Sequence, residues 1–114
     1  LAACDDVEQE GLLELLRRRD DWIGEQARDK AYVSRAIAAT RKRGYAYNDG
    51  EWIREASFAA VAVPVWSGRR VLASLNLVFP KAAVKPADLE QRFVPALRRL
   101  ADAIGKNSRP WTEA

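Results

Sequence analysis

Residues Ser57 to Pro80 read SFAAVAVPVWSGRRVLASLNLVFP, and no other stretch restricts the fold as tightly. Every side chain from Ser57 to Trp66 is apolar or small, the pattern of a strand covered on both faces or lining a cavity. Ser67 to Arg70 is a polar turn, and Val71 to Phe79 is a second apolar strand interrupted by Ser74 and Asn76. A buried amide needs partners, so Asn76 is expected either to be satisfied internally or to face a ligand.

The flanking segments supply the helices. Val7 to Arg19 is acidic early and basic late, with Leu12, Leu13, Leu15 and Leu16 between, and Asp5 or Asp6 is its natural N-cap. Asp20-Asp21 ends that pattern, and Trp22-Ile23-Gly24 reads as a connector. Lys30 to Arg43 forms a second helix, which Gly44 stops in a left-handed C-cap. Tyr45-Ala46-Tyr47 starts extended, Asn48-Asp49-Gly50 signals a turn, and Glu51 to Glu55 is a loop or short extended piece.

Pro86 opens the last helix, in which Leu89, Phe93, Leu97, Leu100 and Ile104 form one apolar stripe. Pro95 falls inside it and predicts a kink or a restart after Phe93-Val94. Gly105 is read as its end, and Asn107 to Ala114 as a frayed tail. The element order predicts an α/β (α+β) arrangement, an antiparallel sheet sandwiched with helices.

Several function classes are excluded or weakened. With 114 residues, 48% of them apolar, the chain is one domain or a piece of one. No run approaches the roughly 18 apolar residues of a membrane span, and no signal peptide is visible, so a cytoplasmic protein without membrane contact is expected. There is no histidine, which removes the commonest general base and zinc ligand. Asp5-Asp6 and Asp20-Asp21 are adjacent pairs that diverge, and none of the serines has a histidine to activate it. Neither catalysis, nor a metal, nor a cofactor is expected. Cys4 is alone and forms no internal disulfide.

The net charge of +3, from 19 basic and 16 acidic residues, does not form a nucleic-acid groove. Arg17-Arg18-Arg19 and Arg41-Lys42-Arg43 close helices, where cations complement the dipole. Methionine is absent and the chain opens at Leu1-Ala2-Ala3, so an excised fragment is expected, with any DNA-reading module upstream.

The ordered set Arg43-Gly44-Tyr45-Ala46, Asp49-Gly50-Glu51, Ala60-Val61-Ala62-Val63-Pro64-Val65 and Val71-Leu72-Ala73-Ser74-Leu75-Asn76-Leu77 resembles the C-terminal effector-binding domain of the IclR family of bacterial transcriptional regulators. The resemblance covers essentially the whole chain. It implies a GAF-like, profilin-like domain, truncated at its N-terminal side, that binds a small organic acid. In such a regulator an upstream winged helix-turn-helix reads DNA and the protein works as a dimer or tetramer, so DNA is a partner only through that module. The chain departs from the family in carrying Ala60 where cysteine is common, and Asn76 and Val78 where many members carry serines. Its Leu75-Asn76-Leu77 is similar to the branch controlling aromatic-acid catabolism, which implies a larger, more apolar effector.

The candidate ligand-binding residues are Asn48, Asp49, Ala60, Ala62, Ser74, Asn76 and Val78. Which of them share a face depends on the hairpin turn, because a slip of one residue exchanges the faces of a strand. A three-residue loop, Ser67-Gly68-Arg69, pairs Trp66 with Arg70 and sets Ala60 opposite Asn76. A two-residue Ser67-Gly68 turn puts Val61 or Ala59 there instead. The longer loop is preferred because it groups small Ala60 and Ala62 with Ser74 and Asn76, leaving room for a ligand. The competing reading makes Ser74 and Asn76 a satisfied polar pair under a helix, and Asn48 and Asp49 plain turn residues. At the level of function the alternative is a GAF-like dimerisation or interaction module with no ligand of its own. Trp22 and Trp111 are candidates for contacts between copies.

Overall fold

Three aspartates start three helices. In the computed structural model, which describes residues 1–49 and 57–108, the Asp5 carboxylate accepts from the Glu8 amide at 2.8 Å and opens α1, Asp6–Arg17. Asp21 accepts from the Gly24 amide and opens α2, Trp22–Arg28. Asp29 accepts from the Tyr32 amide and opens α3, Lys30–Arg43. Each caps a donor that has no partner within its helix. The Trp22-Ile23-Gly24 connector is therefore corrected to the first turn of a short helix, and Asp21, read as a stop, is its N-cap.

The Arg28 guanidinium donates to the carbonyls of Arg17 at 2.7 Å and Arg19 at 3.1 Å, so it closes the C-terminal end of α1. Gly24 lies against the same end. A Cβ there would stand 2.0 Å from the Arg19 carbonyl oxygen, so only glycine permits this approach. At the far end of α3, Gly44 takes φ 88° and its amide reaches the Thr40 carbonyl, the left-handed stop expected from the sequence. Residues Leu1–Gly44 form one compact unit, in which Leu13, Gly24 and Ala27 are buried and no residue of α3 is.

The second unit begins at Tyr45. It holds a three-stranded antiparallel meander of β1, Ala46–Asn48, β2, Phe58–Ser67, and β3, Arg70–Pro80, in that spatial order. Asn48 thus ends a strand rather than opening a turn. Pro64 lies beyond the part of β2 that β1 pairs, so the proline removes no bond to β1 there. After β3 come a 3-10 turn, Lys81–Ala83, and α4, Pro86–Asp88. A π-helical turn, Leu89–Phe93, leads into α5, Val94–Asn107.

One face of the sheet carries the core. Ala59, Val61, Val63 and Val65 alternate along β2 and are buried with Phe79 against Leu89, Val94, Leu97 and Ala101. A strand shows one face at every second residue, so Phe58, Ala60, Ala62 and Pro64 stand on the other side, half-buried. The expectation of a strand buried on both faces is corrected accordingly, because the helical layer of this unit lies on one side only.

The last helix departs from the sequence reading in two ways. The π turn, in which the Val94 amide bonds the Leu89 carbonyl, spends an extra residue ahead of Pro95 and places that proline in the first turn of α5, where its missing N–H costs least. The expected restart is therefore a π turn. It also rotates the helix, so the buried line is Leu89, Val94, Leu97, Ala101 and Gly105, while Phe93, Leu100 and Ile104 of the expected stripe are exposed. Gly105, read as the end of the helix, lies within α5. A Cβ on it would stand 2.1 Å from the Trp66 carbonyl oxygen, so this glycine sets how closely α5 approaches β2.

Candidate functional site

The hairpin register decides which candidate residues meet. Ser67 pairs with Arg70 around Gly68 and Arg69, Gly68 having φ 59°, and Trp66 pairs with Val71. Between Val65 and Trp66 the register shifts, leaving Leu72 as the extra residue of a β-bulge in β3. The expected three-residue loop and the Trp66–Arg70 pair are thus corrected. The bulge nevertheless undoes the exchange of faces that the shorter turn alone would cause. Ala62 lies opposite Asn76, Ala60 opposite Val78 and Pro64 opposite Ser74. Asn76 keeps the face of Ala60 and Ala62, with Ala62 rather than Ala60 directly across.

β1 extends the same rows. Asn48 pairs with Ala60 and Ala46 with Ala62, so directly opposed residues carry Asn48, Ala60 and Val78 in one row and Ala46, Ala62 and Asn76 in the next. Six of the seven candidates, Asn48, Ala60, Ala62, Ser74, Asn76 and Val78, therefore share one face of the sheet. Its floor consists of the methyl groups of Ala46, Ala60 and Ala62 beside Pro64, a low area because the middle strand carries only alanines on this face between Phe58 and Pro64.

The polar groups sit on β3. Ser74 and Asn76 are exposed, so the expectation of a buried amide is corrected: their face is the one away from the helical layer. The Ser74 hydroxyl donates to Asn76 Oδ1 at 2.8 Å. They form the polar pair of the competing sequence reading, but not beneath a helix. Val78 completes the row at 51% exposure, high for a valine in a strand.

Asp49, the seventh candidate, follows β1 at the end of the sheet. Its carboxylate pairs with the Lys81 ammonium at 2.6 Å, and Lys81 Nζ also donates to the Asp49 carbonyl. The hydrogen bond from Lys81 holds the Asp49 carboxyl below the usual carboxylate range. The Lys81 amide in turn donates to the Ser57 carbonyl at 2.8 Å, so this residue ties the ends of all three strands together. No local pattern marks Lys81 for this role, because the two partners stand 32 residues apart. Glu51 and Trp111 lie outside the described residues. Among the described residues no cluster of three or more acidic or cysteine side chains is placed to hold a metal ion, and no helix is long and apolar enough to cross a membrane.

A three-stranded antiparallel meander with helices on one face and a row of small and amide side chains on the other is an α+β domain. Residues 1–106 match the family described as bacterial transcriptional regulator IclR C-terminal. The chain belongs to that family. Among solved structures it is similar to an IclR family transcriptional regulator from Brucella abortus, at 28% identity over 93% of this chain and 39% of that one, with a TM-score of 0.63. An IclR transcriptional regulator from Alicyclobacillus acidocaldarius matches at 26% identity over 93% of this chain and 41% of that one, TM-score 0.63. A candidate transcriptional regulator from Rhodococcus sp. RHA1 matches at 27% identity over 92% of this chain and 42% of that one, TM-score 0.64. The chain thus spans about two fifths of the length of these structures. They are transcriptional regulators, and none is named as an enzyme.

Proposed function

We propose that this chain is the effector-sensing part of an IclR-type regulator, without catalytic activity of its own, and that the sheet face bearing Asn48, Ala60, Ala62, Ser74, Asn76 and Val78 is the floor of its effector site. The observation that carries this reading is the convergence of those residues, from three strands, on the face that the helical layer leaves open. The effector is a small aromatic organic acid. Its ring lies on the alanine floor and its oxygen atoms meet the amide and hydroxyl of β3, while Asp49 with Lys81 borders the site. Binding changes how copies of the domain pack, and a DNA-binding module elsewhere in the regulator reads that change, which requires the ligand to favour one assembly state over another.

Titrating the protein with benzoate and related aromatic carboxylates while following thermal unfolding tests this. A ligand that binds the folded form raises the stability by RT ln(1 + [L]/Kd). The expected result is a concentration-dependent rise that Asn76→Leu abolishes. A rise that survives Asn76→Leu would place the site elsewhere.

A second reading, an interaction module without a ligand, draws on Phe93, Leu100 and Ile104, which leave an apolar flank of α5 exposed. It predicts self-association that weakens with Leu100→Asp and no response to any small acid.

A further inference from the structure

We infer that Ser74 is a positioning residue: by donating its hydroxyl proton to Asn76 Oδ1 it turns the Asn76 amide so that Nδ2 is presented to the ligand, and so selects aromatic ligands by a hydrogen-bond acceptor rather than by their charge. This deepens the proposed function and rests on it. An asparagine side chain can turn either its oxygen or its nitrogen toward a ligand, and the two choices recognise opposite chemistry. Here the 2.8 Å contact engages the oxygen. Both Nδ2 hydrogens remain available, since among the described residues no group accepts from them.

Among the described residues, the rest of the face adds no charge. Ala46, Asn48, Ala60, Ala62, Pro64, Ser74 and Val78 bring neither a lysine nor an arginine to it, and the Lys81 ammonium is engaged by Asp49 at the end of the sheet. Recognition by a neutral N–H donor does not require an anion. A ketone oxygen satisfies it as a carboxylate oxygen does, whereas an ammonium, which only donates, finds no acceptor at Nδ2. The chemical class is therefore a flat aromatic compound with a carbonyl or carboxylate oxygen close to the ring.

Three probes of similar size separate these properties: benzoate as an anionic acceptor, acetophenone as a neutral acceptor, and benzylamine, protonated at neutral pH, as a donor. Binding is measured by calorimetry on the protein and its variants. Benzoate and acetophenone are expected to bind within about tenfold of each other, and benzylamine at least about tenfold more weakly, the scale of one well-placed hydrogen bond. Ser74→Ala frees the amide to turn and should reduce the preference for acetophenone over benzylamine by about fivefold or more. Ser74→Thr, which keeps the hydroxyl, should restore it. Asn76→Asp, which has no donor, should reverse the preference.

A merely structural role for Ser74 would weaken all probes alike and leave their ratio unchanged. If Ser74→Ala leaves the ratio unchanged while Asn76→Leu abolishes binding, the inference on Ser74 fails and the site stands. If none of the probes binds, or Asn76→Leu and Asn76→Asp alter nothing, the site reading fails and takes this inference with it.

Discussion

The two faces of β2 are built from equally apolar residues and do opposite work. Ala59, Val61, Val63 and Val65 are buried beneath α5 and the π turn, with Val61 and Val63 almost fully enclosed. Ala60, Ala62 and Pro64 stand half-buried on the other face beside Phe58, as the floor of the proposed site. The difference lies in side-chain size more than polarity. Valines fill the space below the helix, where loss of a methyl leaves a cavity. Alanines keep the other face low enough for something else to lie on it. Apolar composition alone thus fails to separate a core from a platform, and the sorting needs the register.

Substitutions on the two faces should separate stability from binding. The largest effect is expected at the closed face, for Gly105→Ala. The added methyl meets a main-chain carbonyl, which cannot turn aside as a side chain can, so α5 must shift off β2. A loss of about 2 to 3 kcal/mol in urea unfolding is expected. Gly11→Ala, with open space around it, should be neutral or stabilising by up to about 1 kcal/mol. Equal effects at the two glycines would show that the close approach is not a constraint.

Next comes Val63→Ala, which removes two methyl groups from the core. At roughly 0.8 kcal/mol for each carbon, plus the cavity, about 2 kcal/mol should be lost, with ligand response retained. On the open face the expectation inverts. Ala62→Leu should change stability by no more than about 0.5 kcal/mol, yet raise a side chain across from Asn76 and abolish the thermal response to aromatic acids. If Ala62→Leu destabilises as much as Val63→Ala, the contrast between the faces is wrong.

The smallest effect concerns Asp49. Its carboxyl is held below the ordinary range by Lys81, so the pair contributes stability at pH above the ordinary carboxylate value and loses it as the pH falls through the lower, folded value. Asp49→Asn should therefore lie slightly below the parent protein near neutral pH and converge with it in acid. Both groups are at the surface, so added salt should shrink the difference. Thermal melts across this pH range provide the check.

Much of this was legible beforehand, for physical reasons that differ between elements. α3 could be read end to end because Gly44 follows a basic last turn, and the hairpin because two apolar runs flank a polar turn. Local signals sufficed. The bulge at Leu72 left no local mark, so the face shared by Ala62 and Asn76 was anticipated through a turn that the chain does not use. Asp21 carries a capping signal that serves the start of α2 and not the end of α1. An α-helical period continued through the π turn sets the expected stripe one face too far round. As for the site, the sequence indicated the small residues and the amide, while the partnership of Asp49 with Lys81 depends on chain closure.

That π turn has a consequence for how the last helix tolerates change in length. Its sequence holds two interleaved hydrophobic phases, Leu89-Phe93-Leu97 and Leu89-Val94-Leu97, and the single residue gained in the turn determines which aromatic or aliphatic group points inward. Deleting Gln91 would leave Leu89 and Val94 four residues apart, so the same pair would close an ordinary α-helical turn and stay on one face. Leu89 would then keep its place in the core. The segment thus absorbs a change of one residue in length, and a relative with a one-residue gap there would present the same inward face.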